Sequence, residues 1–425
     1  MHDPLEHFSG LKSADIRLDL GPITELLNRF KNPQNAYGTI LIGGTNGKGS
    51  IAAMVASVLS RNGYRVGLYT SPHLIDIRER IRINGEMILP EELDELIKEI
   101  KSFSTGNITY FEFLTAVAFL YFYQKRVDIA VLEVGMGGRL DATNVASPLI
   151  SVISNISLEH CEYLGNRLED IAWEKGGIIK NGANCITAVK QRRVVQCLEA
   201  ICRSRGAKLI KLGREINIDM HDDGSFSYWG TEKRYNRLIC PLKGRHQIDN
   251  AALAVGVIEY VAKKGFDIEE NAVYEGIRDV RWEGRLEVLR NAPIVLVDGA
   301  HNAAGASVLA DALKEAFTYK ELIMIFGVLN DKDYRTMVKK LIPCADHVIL
   351  TKPASERALS PKAIVPVVWQ YLHHIDVVEN THQALKKALS IATQDDLICV
   401  TGSLYLVGEI KRIFSESFDT SQNLN

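Results

Sequence analysis

Apolar residues follow two rhythms along this chain, and the switches between them outline its elements. Residues 39–42 form a short apolar or β-favouring run and read as a strand; after a Gly-rich turn, Ile51, Met54, Val55, Val58 and Leu59 recur at helical spacing, so a helix starts near Ser50. Upstream, Ile23, Leu26, Leu27 and Phe30 mark an amphipathic helix within 11–30, with Pro22 in its first turn and Asn32-Pro33 at its end. Gly63 closes the helix after the Gly-rich turn, and 65–70 is the next strand. Residues 81–86 predict a hairpin turning on Asn84-Gly85. Pro90-Glu91-Glu92 opens a helix, Thr109 introduces a long apolar one through Tyr123, and 127–134 reads as a buried strand. A strand at 151–155, a helix at 168–179, a strand near Ile186, a helix at 191–205 and a strand near Leu209 follow.

Residues 215–242 change character: alternation, Asp223-Gly224 and Tyr228-Trp229 predict a small β-meander at a domain edge. An Ala-rich helix after Asn250 and a helix at 268–280 complete the first part, and 281–285 read as a linker. Beyond it the pattern restarts, with strands at 294–297, 322–326, 347–350, near Val377 and at 397–400 and helices between them: a second α/β unit with a mostly parallel sheet.

Length and charge narrow the function. A chain of 425 residues makes two or three domains, and the division expected is 1–284 and 285–425. A formal net charge of −2 argues against coating nucleic acid, and no apolar run reaches the ~18 residues of a membrane span. The first residues lack the basic start and apolar stretch of a signal peptide, and seven scattered cysteines without a Cys-x-x-Cys pair suggest reduced thiols. The expectation is a cytoplasmic protein.

Candidate chemistry gathers where strands end. Strand, Gly-rich turn and helix are the layout that holds a phosphate, so Asn46, Gly47, Lys48, Gly49 and Ser50 are candidate nucleotide ligands. The string is not the usual G-x-x-x-x-G-K-[ST], because an extra glycine precedes Ser50. Ser71 follows the next strand and is either a ligand or a turn residue. Glu133 interrupts an apolar strand, where a carboxylate is costly unless paired or metal-bound, so it reads as a magnesium ligand. His160 also follows a strand, Lys175 reads by pattern as a solvated surface lysine, and Asn250 as a local hydrogen-bonding residue. By periodicity Tyr110 and Phe111 read as core. In the second unit, Asp298 to Asn302, Phe326 to Asp333 and Thr401 to Ser403 lie at carboxyl ends of strands, where a ligand crevice is expected.

The motif series resembles the Mur ligase superfamily and, within it, the folylpolyglutamate synthase and dihydrofolate synthase family. The resemblance spans roughly residues 15–413. It rests on Gly44 to Ser50, Thr70 to Leu74, Tyr110 to Phe113, Glu133 to Asn144, Glu174-Lys175, Gly244 to Gln247 with Asn250, Trp282 to Arg285, Asp298 to Asn302 and Gly402 to Gly408. The extra glycine before Ser50 separates the folate branch from the peptidoglycan branch. The resemblance implies an N-terminal phosphate-loop ATPase-like domain with a small β edge, a C-terminal Rossmann-like glutamate-ligase domain, and ATP-dependent addition of L-glutamate to dihydropteroate or a reduced folate. Lys48 and the loop would hold ATP phosphates; Ser71 and Glu133 would bind one magnesium ion, and Glu133, His160 and Lys175 a second, with Lys175 N-carbamylated. Asn250, Arg285, Asp298 and His301 would contact the nucleotide, and Thr109, Tyr110, Phe111, Glu112, Leu140, Asp141 and Ala142 the pterin end. A monomer is expected, with neither nucleic acid nor membrane as partner. Three positions depart from the family pattern: Glu159 stands for Asp, Gly176 for Ala and Ala303 for Pro. A ligase acting on a UDP-linked muramoyl precursor and a phosphate-loop switch ATPase are the alternative readings.

Overall fold

The computed structural model describes residues 17–104 and 108–422, with side chains to 416. Two compact units result: one runs to Pro241 and resumes over Gln247–Arg281, the other takes Leu242–His246 and continues from Trp282.

In the first unit, helix α1 (Gly21–Arg29) precedes β1 (Gly38–Gly43), α2 (Lys48–Arg61), β2 (Val66–Tyr69) and the hairpin β3 (Ile81–Ile83) and β4 (Glu86–Met87). The hairpin turns on Asn84 at φ 48° and Gly85 at φ 87°, as an Asn-Gly pair favours. Helices α3 (Pro90–Phe103) and α4 (Tyr110–Gln124) lead to β5 (Ile129–Glu133) and β6 (Ile150–Ile153). Next come α5 (Cys161–Leu164), α6 (Leu168–Gly176), β7 (Cys185–Thr187), α7 (Arg192–Ser204) and β8 (Leu209–Lys211). The sheet order is β4-β3-β2-β5-β1-β6-β7-β8; β3 pairs antiparallel with both β2 and β4, and the other pairings are parallel. Every residue of β5 is buried, as in a parallel sheet covered on both faces. Helix α4 is apolar almost all round, and burial of Phe113, Phe119 and Phe122 contributes about 2–3 kcal/mol each.

Three further strands, β9 (Asn217–Met220), β10 (Phe226–Trp229) and β11 (Arg234–Leu238), form the expected antiparallel meander. Helix α8 (Arg245–Lys263) begins before Asn250, and α9 (Glu270–Arg278) packs on α2 so closely that a Cβ on Gly276 would sit 2.4 Å from Val58 Cα.

The second unit holds β12 (Glu287–Asn291), β13 (Ile294–Val297), α10 (Ala303–Glu315), β14 (Leu322–Phe326), α11 (Tyr334–Leu341), β15 (His347–Leu350), α12 (Pro361–Val368), β16 (Ile375–Val377), α13 (Thr381–Ile391), β17 (Leu397–Thr401) and α14 (Leu404–Gln422). Its sheet order is β12-β13-β17-β14-β15-β16. Strand β12 pairs antiparallel with β13 and is absent from the sequence reading. Leu296, Met324, Phe326, Leu341 and Val348 anchor a core separate from that of the first unit. No helix among the described residues is long and apolar enough to cross a membrane.

Candidate functional site

Four neighbouring strands of the first sheet, β2-β5-β1-β6, deliver their carboxyl ends to one edge. This is the edge where the strand order reverses and a parallel sheet opens a crevice. The phosphate loop leaves β1 there. Gly44 has φ 127°, and a Cβ on it would lie 2.0 Å from Ser154 Oγ and 2.8 Å from Ser154 N, so only glycine fits. Gly47, at φ 86°, precedes α2, which begins at Lys48.

The end of β6 straps this loop. Asn155 Oδ1 accepts from Asn46 N (3.0 Å), while Asn155 Nδ2 and Ser154 Oγ donate to Asn46 O (2.9 and 2.6 Å). Ser157 N donates to Thr45 Oγ1 (3.1 Å). The sequence reading missed Ser154 and Asn155, which lie 108 and 109 residues from their partner in the chain. Asn250 reaches the loop from α8: its Oδ1 would stand 2.6 Å from a Cβ on Gly47, and its Nδ2 donates to Gln247 Oε1. It is more than the local hydrogen-bonding residue that pattern suggested.

Lys48 Nζ donates to Gly44 O (3.1 Å) and Thr45 O (3.0 Å). Lys175, read by pattern as a surface residue, is 1% exposed: its Nζ donates to the same Gly44 O (2.9 Å) and to Glu159 Oε1 (2.7 Å). An ammonium buried this far is tolerable only when paired. Burial lowers the Lys175 pKa, opposed by Glu159 and assisted by Lys48. Burial pushes the Glu159 carboxyl up, but the Lys175 and Lys48 charges prevail and hold it down at about 2.

Glu133, the last residue of β5, is buried, and its Oε2 accepts from Ser71 N (3.0 Å), so this carboxylate and Ser71 are neighbours. His160 stands at φ 48° at the start of α5, and its charge is felt at Glu159. Among the described residues no three His, Cys, Asp or Glu side chains are arranged to hold a metal ion.

Thr109 and Glu112 form a capping box on α4: Thr109 N donates to Glu112 Oε2 (2.8 Å) and Glu112 N to Thr109 Oγ1 (3.3 Å). The other oxygen, Glu112 Oε1, is buried and has no hydrogen-bond partner among the described residues. The Phe111 ring occupies the space a side chain on Gly135 would need, 2.6 Å from the ideal Cβ, which joins this segment to the loop carrying Leu140 to Ala142. Asp141 accepts from Met136 N (2.9 Å), Thr143 N (3.0 Å) and Thr143 Oγ1 (2.6 Å), so its carboxylate shapes that loop; burial raises its pKa. Arg80 lies 5.7 Å from the Tyr110 ring centroid and donates from Nε to His73 Nδ1 (2.9 Å); burial and that guanidinium pull His73 down to about 4. Beside Thr109, a cavity of about 260 Å³ is lined by Asp19, Glu25, Arg29, Phe103 and Ile108. The sequence offered no signal for it, since Asp19 and Arg29 read only as the flanks of a helix.

In the second unit, Asp298 is half-buried just after β13 and accepts from Leu286 N (3.0 Å) and Ala300 N (2.9 Å). Burial raises its pKa against the pull of Arg285. His301 Nδ1 donates to Gly299 O (2.8 Å), which fixes the ring. The Arg285 guanidinium runs over Gly299, where a Cβ would meet its Nη1 at 2.6 Å. After β14, Asp331 pairs with Lys332 (3.0 Å) and Arg357 (2.8 Å).

A phosphate loop braced by a neighbouring strand, with a buried acid and a buried lysine at the same edge, suits the binding of a nucleotide phosphate. Residues 42–258 match the Mur ligase middle domain and 284–404 the Mur ligase glutamate ligase domain. A dihydrofolate synthase/folylpolyglutamate synthase of Bacillus subtilis is 33% identical, over 93% of this chain and 95% of its own. Two solved structures superpose closely: Escherichia coli FolC in complex with DHPP and ADP (TM-score 0.90, 27% identity, 97% of each chain), and a bifunctional Yersinia pestis enzyme with AMPPNP and a manganese ion (TM-score 0.87, 26% identity, 97% of each chain). The chain belongs to the folylpolyglutamate synthase/dihydrofolate synthase family and is an ATP-dependent glutamate ligase.

Proposed function

We propose that this enzyme joins L-glutamate to the carboxylate of dihydropteroate and of reduced folates, acting as both dihydrofolate synthase and folylpolyglutamate synthase. The observation that carries the reading is the convergence of Lys48, Lys175 and the Ser71–Glu133 pair at the carboxyl edge of one sheet. The acceptor carboxylate attacks the γ-phosphorus of ATP, the bond to the β-phosphate oxygen breaks and ADP leaves. The glutamate amine then attacks the acyl phosphate carbonyl, and phosphate departs as the amide forms.

Lys48 turns from its own loop carbonyls to the β- and γ-phosphates and offsets the charge that develops between them. Asn46, Gly47, Gly49 and Ser50 cradle the phosphates, and Asn250, Arg285, Asp298 and His301 hold the nucleotide. Thr109 to Glu112 and Leu140 to Ala142 border the pterin, with the unpartnered Glu112 Oε1 available to a ring N–H.

The Ser71 hydroxyl and Glu133 carboxylate are neighbouring hard oxygen donors and fit a magnesium ion. His160 and a cationic Lys175 are no second site as they stand. Burial lowers the Lys175 pKa, which eases the proton loss that carbon dioxide addition requires, and a carbamate there would supply the missing oxygens for a second ion. Bound magnesium would neutralise charge on the transferring phosphoryl group. A soluble, monomeric, cytoplasmic enzyme is part of this reading.

ADP release with ATP, magnesium and glutamate tests it, run separately with dihydropteroate, a tetrahydrofolate, a UDP-muramoyl precursor and no acceptor. Turnover with both pteridine substrates is expected. Turnover with one alone reduces the reading to that single activity, and activity only with the muramoyl compound, or equal ATP loss without acceptor, overturns it. Lys48→Ala should abolish ADP release under every condition; near-normal turnover in that variant removes the lysine from the mechanism.

A further inference from the structure

The turn that presents Arg285 is strained. Gly284 has φ 69° and Leu286, a buried residue, has φ 45°, a region that non-glycine residues rarely enter unless surrounding contacts hold them there. Two of the holding contacts come from the loop after β13: Gly299 N donates to Gly284 O (2.9 Å) and Leu286 N to Asp298 Oδ2 (3.0 Å). The third is different. Gly284 N donates to Glu287 Oε2 at 2.6 Å, and that carboxylate is itself held from α14.

Lys411 Nζ lies 2.6 and 2.8 Å from the two Glu287 oxygens and 2.8 Å from Glu283 Oε2. Glu283 precedes the turn and Glu287 follows it, so one ammonium clamps both ends. The Lys411 side chain is 10% exposed and Glu287 26%, so that contact is partly shielded from water and strengthened, whereas the Glu283 carboxylate faces solvent. Without the ammonium, the two carboxylates that it draws together would repel across the turn.

We propose that Lys411 is a positioning residue for nucleotide binding: by clamping Glu283 and Glu287 it keeps the 284–286 turn in the strained form that aims the Arg285 guanidinium over Gly299. The inference rests on the reading that Arg285 contacts ATP. Lys411 does not touch substrate; it acts through Glu287 and the backbone of Gly284.

The test is titration of the full-length protein with a non-hydrolysable ATP analogue, with thermal melting run in parallel. Lys411→Met should weaken analogue binding about tenfold while the fold is kept, and Lys411→Arg should restore affinity to within a few-fold of the parent. Glu287→Ala, which removes the acceptor of Gly284 N, should weaken binding like Lys411→Met and serves if that variant fails to fold. Arg285→Ala should weaken binding at least as much, and adding Lys411→Met to it should cost nothing more, because both act on one guanidinium. Parent-like affinity in Lys411→Met beside a weakened Arg285→Ala overturns the positioning role alone, as does a full additive loss in the double variant. Parent-like affinity in Arg285→Ala overturns the nucleotide role of Arg285 and the proposal with it.

Discussion

Gly44 O accepts a hydrogen bond from each of two lysines, and this single carbonyl ties the phosphate loop to α6. Glu159 balances the second ammonium. Its one-methylene excess over the usual Asp goes into direct contact with Lys175, which no local pattern could reveal because the partners sit 16 residues apart. His246 illustrates a burial cost of the opposite kind. Burial, with the Arg285 charge, lowers it from 6.5 to about 4, so the folded protein holds it neutral. Between pH 6.5 and about 4 the unfolded chain binds more protons than the folded one, and stability falls as pH falls through that window. His246→Gln should therefore flatten the plot of melting temperature against pH in this range, leaving the slope due to His73, which burial also lowers to about 4. A variant curve parallel to the parent curve would show that His246 does not titrate this way.

Elements with their own local signature were legible: the strand, Gly-rich turn and α2, the Asn84-Gly85 hairpin, the meander and the parallel strands of the second unit. Strand β12 was not, because Glu287–Asn291 is an edge strand with polar and apolar residues mixed, directly after a turn that looked like a linker. The straps on the phosphate loop were invisible for another reason: β6 lies beside β1 in space but more than a hundred residues away in sequence. That strap gives a prediction at this scale. Asn155→Ala removes its two hydrogen bonds to Asn46, so it should cost about 2 kcal/mol in urea unfolding and weaken ATP-analogue binding roughly tenfold. Unchanged nucleotide affinity would mean the loop holds its shape without β6. Asp141 has a structural role that the motif did not reveal. Resemblance placed it at the pterin end, while its visible hydrogen bonds all serve its own loop.

The whole molecule is assembled from interleaved stretches of chain. Leu242–His246 belongs to the second unit although residues on both sides belong to the first. Lys243 lies 4.7 Å from the Phe317 ring centroid, and a Cβ on Gly244 would touch His246 and Leu286. Exchanging only 282–425 with the same region of a relative would strand this short segment against foreign partners. Such a chimaera should melt below one in which 242–246 is exchanged as well, and equal melting temperatures in scanning fluorimetry would show the segment contributes nothing. The same interleaving sets a timetable for biosynthesis. The segment leaves the ribosome before Arg285, Leu286 and Phe317 have been made, while the rest of α8, whose first residues it contains, belongs to the first unit. A stretch that belongs to the second unit is therefore synthesised well ahead of the residues it touches there.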